Sequence, residues 1–395
     1  MRTRRSFVMV LAAITLLVPA CRKGTNGGQS AGIRMETVDG VTLVHNPAVP
    51  VHPEKSVRFE EEVAFGGEET GPGAVLKPGQ YAIDRQNRVY VYESGEGVIK
   101  VFGEDGRFLR NVGRKGQGPG EFSQAYFLGF SPDGLLLVTD FQNRRTSIFG
   151  PEGDFLESYQ WTENVSIPYL VLDGAFVAAM SVYEEGGSKL FLKTYDFKGK
   201  ELRAWGRFTL PAMKMVTRPM AGGGGAVTFG TSVPYSPSSV LAGDDRFLRI
   251  YHCLSDAYLI DVYDADGRLF RKIDRPYERV RVTAADKDEY LARSASANEE
   301  MNKLYEDLPW PDVKTVTDRM LCDDRGSLWV ATNEAKVEAE KKLTAYDIFD
   351  AEGSYDARVW LDAAPGKFAA GKMYRYKEDK DTGVRVLTRH RVIWN

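Results

Sequence analysis

The sequence predicts an all-β fold, a six-bladed β-propeller of four-stranded antiparallel blades closed into a ring. Three observations predict it. Residues 66–109 recur imperfectly 47 positions downstream, pairing Gly66 with Gly113, Gly71 with Gly118, Pro72 with Pro119, Gly73 with Gly120, Phe102 with Phe149 and Phe108 with Phe155. A repeat period in the forties marks a propeller or solenoid array. The composition, with 39 Gly, 19 Tyr and 20 Phe, suits many tight turns and aromatic strands. An aromatic residue followed by a turn glycine also recurs, as Phe102 and Gly106, Phe149 and Gly153, Tyr195 and Gly199, Tyr263 and Gly267, Phe349 and Gly353. Such glycines supply the positive φ that tight hairpins demand. At 395 residues the chain is long for one ordinary domain and normal for one closed array.

Taken in order, residues 1–20 read as a signal peptide. Arg2, Arg4 and Arg5 precede an apolar run over 7–17, which is shorter than the roughly 20 residues a membrane span needs. Val18-Pro19-Ala20-Cys21 then resembles the lipobox of bacterial lipoproteins. The resemblance implies that Cys21 is lipidated and becomes the mature N-terminus. Residues 21–40 are assigned to this cysteine and a tether, with 22–33 rich in Gly, Ser, Asn and Gln. The propeller is assigned to 41–395. Arg22 is not an acidic retention signal, so by analogy with lipoprotein sorting the expected location is the outer membrane of a bacterial envelope.

The first blade reads as strands over 80–84, 88–93, 98–103 and 107–112, and the second as 127–131, 135–140, 146–150 and 154–160. Weaker copies follow within 169–205, 239–273 and 319–361. The sixth is split between the chain ends: 367–371, 373–378 and 384–394 supply three strands, and 56–65 supplies the outer one. Such closure protects sheet edges. Two insertions interrupt the array, at 206–238 and 283–311. The second is expected to be helical, with a capping box at Thr283 and Asp286, apolar spacing through Met301, Leu304, Tyr305 and Leu308, and a stop at Pro309. Insertions in a propeller often roof its binding surface.

Asp140, Asn143 and Arg145, followed by a strand ending in Phe149, resemble the core of an NHL repeat, and Gly113–Phe122 (113–122) resembles its Gly-rich start. Together with the lipobox, the chain looks like an exported bacterial propeller lipoprotein of the NHL-like kind. The motifs are sharp in the first two blades, although blade one carries Glu93 where the Asp would stand. That family spans protein-, glycan- and RNA-binding modules and a few lyases and lactonases, so the fold transfers no single activity.

Asp140, Asn143 and Arg145 could line a site or tie a turn; turn chemistry is the simpler account. The 114–121 loop has glycines without the Gly-Lys-Ser/Thr and helix of a phosphate cradle. Its Arg114, Lys115, Gln117 and Glu121 are candidate ligand-binding residues near the channel mouth. Trp310, between two prolines, is a candidate for stacking a sugar or anchoring a protein. The four His lack metal-ligand spacing, and no catalytic set or cofactor is implied. The pairs Asp244-Asp245 and Asp323-Asp324 read as turn residues. Cys253 and Cys322 read as unpaired core thiols. A net charge of −3 provides no field for nucleic acid. The expectation is a monomeric, membrane-tethered module that binds a protein or glycan at one face. The alternative is a lactonase-like lyase or hydrolase with a divalent metal in the channel.

Overall fold

The fold is a six-bladed β-propeller. The computed structural model describes residues 32–68, 70–161, 168–184, 187–210, 212–219, 226–295, 299–378 and 383–395. Cys21 and the signal segment lie outside the described residues. Blades one to five are built within 78–112, 125–160, 168–209, 239–274 and 317–361, each from four consecutive antiparallel strands. The sixth combines Lys367–Ala369, Lys372–Glu378 and Arg385–Trp394 with Val57–Phe65, which pairs antiparallel along Arg385–Trp394 from Val57 opposite Trp394 to Phe65 opposite Leu387. The ring thus closes as the repeat predicts, on one strand from before the first blade.

The middle strands explain the apolar runs. Val89–Glu93 and Val98–Phe102 are buried at every position because both faces of a blade meet a neighbour. Continuous rather than alternating apolar character is what a doubly covered strand requires. Among the described residues six apolar clusters follow, one between each pair of adjacent blades. Phe122 and Phe149 fill the seam between blades one and two, and Trp329 the seam between five and six.

The 47-residue copy has a packing reason. Gly66 and Gly113 both have φ of 70°, and a Cβ there would lie 2.3 Å from Val75 and 2.2 Å from Phe122 respectively. Val75 and Phe122 stand at the same place in the two copies. Each glycine lets the connection between blades fold over that buried side chain.

Antiparallel blades leave two distinct faces. One carries the connections from the outer strand of a blade to the inner strand of the next, and both insertions lie there. The opposite face carries the tight turns that follow each inner strand. Inner strands from all six blades surround a central channel.

The N-terminal hairpin departs from the expected tether. Arg34–Val38 pairs with Val41–His45, which adds in parallel to Leu269–Asp274 at the outer edge of blade four. All five residues of Arg34–Val38 are exposed. Backbone pairing alone places this strand, so no apolar pattern announces it. Its register puts Arg34 beside His45 and His45 beside Asp274, at the end that leads into the second insertion. A chain preceding Arg34 therefore starts from the insertion face.

Candidate functional site

The second insertion is helical as its sequence implies. Thr283 caps Ala284–Ser294: its hydroxyl accepts from the Asp286 amide at 3.2 Å, while Asp286 accepts from the Thr283 amide at 2.9 Å. A second helix, Glu299–Glu306, ends before Pro309, and Leu304 and Leu308 are buried beneath it. The insertion closes at its base where Val282 donates to the Asp312 carbonyl and Lys314 to that of Val280. The first insertion carries the hairpin Met213–Pro219 and Ala226–Ser232.

The two insertions meet. Tyr235 from the first lies 6.4 Å from the Trp310 ring of the second, and the Lys314 ammonium sits 5.6 Å from the Tyr235 ring. Blade five rises to them through its long hairpin, Leu328–Glu338 and Lys341–Phe349, where Lys342 pairs with Glu289 at 2.6 Å. A cleft of about 550 Å³ remains between insertions and blade. Tyr235, Tyr290 and Tyr346 supply its aromatic surface, and Thr315, Thr332 and Asn333 its neutral polar groups.

Much of the charge in the cleft is compensated. Lys314 donates to Asp286 at 2.6 Å. Burial alone would raise the Asp286 carboxyl, but this bond and the Thr283 bonds outweigh it and hold its pKa below the ordinary range. The Lys342 bond does the same for Glu289. Below the cleft Asp347, fully buried, accepts from the hydroxyls of Tyr258 and Tyr355, from Arg275 Nη2 and from Arg358 Nε, each at 2.7 Å. Burial raises the Asp347 carboxyl, yet the Arg358 bond and the charges of Arg275 and Arg358 overcome it and keep its pKa low. Arg358 also reaches Glu334 on the cleft wall at 2.9 Å. This cluster ties the end of blade four to blade five. No local pattern marks it, because its members span 258–358 and meet only in the ring.

The residues singled out from sequence lie elsewhere. Arg145 donates to the carbonyls of Gln117, Gly118 and Glu121 at 2.7, 2.6 and 2.6 Å, Asn143 to that of Gly116, and Asp140 accepts the amides of Ser123 and Gln124. The triad ties the glycine-rich loop. Glu93 stands in for Asp140 in blade one, accepting the amides of Lys77 and Gly95. Glu121 accepts from the Gly118 amide and from Arg114, and its pKa is lowered in that order of cause. Arg114, Lys115, Gln117 and Glu121 line neither the cleft nor the channel. Trp310 packs edge-on against Tyr290 at 5.4 Å, behind the cleft wall.

The acidic pairs divide their labour. Asp244 accepts the amides of Arg246 and Phe247, and Asp323 those of Arg325 and Ser327, so the first of each pair forms the turn. Asp245 lines the channel instead. Cys253 and Cys322 are free thiols. Among the described residues no group of three or more His, Cys, Asp and Glu is placed to hold a metal ion. Nor is any described helix long and apolar enough to cross a membrane.

Comparison with known proteins agrees with the fold. Residues 77–192 match a family described as 6-bladed beta-propeller. No curated protein matches the chain in sequence. Solved structures similar to it include a member of the duf4221 family from Bacteroides vulgatus, 10% identical with a TM-score of 0.49 over 86% of this chain and 99% of its own. A protein from Bacteroides fragilis whose given name calls it exported is 10% identical, with a TM-score of 0.44 over 89% and 99%. Virginiamycin B lyase from Staphylococcus aureus is 10% identical, with a TM-score of 0.36 over 85% and 99%. At such identities and scores the likeness extends to no activity.

Proposed function

We propose that the protein is an exported, lipid-anchored binding module that takes a glycan or a polar protein segment in the cleft of the insertion face. The cleft itself carries the reading. It exists only where the two insertions, absent from the regular repeat, converge on blade five. Its tyrosines and neutral polar groups suit a hydroxyl-rich or peptide ligand, and lysine pairing has already neutralised Asp286 and Glu289. The lipobox-like Val18-Pro19-Ala20-Cys21 and the NHL-like motif at 140–149 support an envelope location and kinship with NHL-type propellers. An anchor at Cys21 would lead to the insertion face through Arg34. The rival reading, a lyase or hydrolase with a channel metal, needs a donor cluster that the described residues lack.

Screening the purified protein against neutral oligosaccharides and peptides tests the proposal. Tyr290→Ala is expected to weaken the selected ligand about tenfold or more, as loss of a stacking aromatic does. Turnover of a lactone, glycan or peptide that a channel substitution abolishes would overturn it. For the anchor, Cys21→Ser should move the protein from the membrane to the soluble fraction.

A further inference from the structure

We propose that the central channel is a second ligand site, which takes a small molecule bearing an oxyanion, carboxylate or phosphate, through its mouth on the turn face. Arg319 reaches both cavities, but the rest of the channel lining is separate from the cleft, and the proposal does not rest on what the cleft binds.

The channel encloses about 790 Å³. The charged residues that line it are Arg85, Arg246, Arg319, Lys367 and Asp245, four cations against one carboxylate in a chain whose net charge is −3. They come from blades one, four, five and six, so the ring itself gathers them. Arg85 and Arg246 sit on the turns that follow the inner strands of blades one and four, at the mouth. Lys367 and Arg319 stand deeper, on the inner strands of blades six and five.

None of the four is engaged in an ion pair within 4.0 Å among the described residues. Lys367 donates to the Tyr81 carbonyl at 2.9 Å and lies 5.3 Å from the Tyr81 ring centre. Arg319 donates to the Pro365 carbonyl at 2.7 Å, and Arg246 to that of Asp324 at 3.3 Å. Carbonyls satisfy these donors without balancing their charge. Among the described residues the Arg85 side chain has no hydrogen-bond or ion-pair partner. All four side chains are exposed to the lumen, whereas Arg275, buried at the seam of blades four and five, meets Asp347, and Lys314 in the cleft meets Asp286.

The channel walls make the imbalance matter. Tyr81, Phe127, Tyr169 and Phe368 line it with aromatic surface. A low-dielectric wall around charges of one sign focuses the field in the lumen and concentrates counter-ions there. Desolvation in the lumen pushes the Lys367 ammonium below the ordinary lysine range, only partly opposed by Asp245. An oxyanion would supply the missing charge and accept hydrogen bonds from guanidinium forks at the mouth. The aromatic walls would cover whatever apolar part the ligand carries.

Calorimetric titration of the purified full-length protein with citrate and with inorganic phosphate, at low and high ionic strength, is the test. At least one anion should bind saturably, more weakly as salt rises, and glucose should not displace it. Binding of citrate alone or of phosphate alone names the oxyanion. Arg85→Gln and Lys367→Met should each weaken binding about tenfold, and Lys367→Arg should retain it. Arg85 lies on an exposed turn, and among the described residues its side chain makes no hydrogen bond or ion pair, so its substitution reports on binding with folding intact. Binding should also draw a proton onto Lys367 at alkaline pH, reversing the desolvation. Absence of saturable binding by either anion overturns the proposal. So does an affinity that Arg85→Gln and Lys367→Met leave unchanged, or one that Tyr290→Ala in the cleft abolishes.

Discussion

The cleft and the channel belong to one ring yet treat charge in opposite ways. In and under the cleft the cations are largely matched: Lys314 with Asp286, Lys342 with Glu289, Arg275 and Arg358 with Asp347. In the channel Arg85, Arg246, Arg319 and Lys367 face a single carboxylate, Asp245. Matched charge fixes the shape of a wall, because each partner holds the other. The channel cations bond at most to carbonyls, which leaves their charge available to something that enters.

Substitution should separate the two. The largest effect is expected at Asp347. Asp347→Ala strands two guanidiniums and two tyrosine hydroxyls, and should cost about 3–5 kcal/mol in urea unfolding. Acid sharpens this. The folded-state pKa of Asp347 lies below its unfolded value, so its contribution is complete above the ordinary aspartate range and is lost as pH falls through the folded value. The wild-type protein should therefore lose stability in that window more steeply than Asp347→Asn. Asp286→Ala comes next. It removes half of the capping box and the partner of Lys314, for about 1–2 kcal/mol. Faster amide exchange over 284–294 with unchanged exchange in blades one and two would show that the insertion opens as a local unit.

The channel should respond in the reverse sense. Lys367→Met removes an ammonium that no carboxylate pairs, and the urea midpoint should stay level or rise. The lysine is depressed in the folded state, so between its folded and unfolded pKa values the unfolded chain binds more protons and stability rises with pH. That rise should vanish in Lys367→Met. A loss of stability matching that of Asp347→Ala would erase the distinction between the two regions. The smallest effect is expected for Arg114→Ala, whose side chain is exposed and, among the described residues, pairs with Glu121 alone; neither the unfolding midpoint nor ligand binding should move.

Much of the fold was legible because its signals are local or periodic. Gly113 and Phe122 repeat Gly66 and Val75 because the same connection is folded twice. Thr283 and Asp286 cap a helix within four residues. Strand 56–65 could be assigned to the last blade because a ring with three terminal strands needs a fourth. The sites were legible only in part. The insertions drew attention as departures from the repeat, and they do build the cleft. Trp310 stood out as an aromatic between prolines, but Tyr235 and Tyr290 surround it and Tyr290 takes the cleft wall. Arg114 and Lys115 stood out as charges on a glycine loop, whereas Arg85 and Lys367, which face the channel, look in sequence like ordinary turn and strand residues.

The sequence by itself determined the blade, its turns, the number of copies and the way the ring closes, since turn chemistry, strand periodicity and glycine placement act within one repeat. Only the tertiary structure decided which residues share a cavity. Tyr235, Tyr290 and Asn333 meet across two insertions and a blade, and Arg85, Arg246, Arg319 and Lys367 across four blades. The N-terminal hairpin obeys the same limit: its outer strand is held by backbone hydrogen bonds to the strand beside it, which in turn pairs with a segment more than two hundred residues away. Backbone pairing is the same for every residue type, so it leaves no mark on the side chains from which a sequence is read.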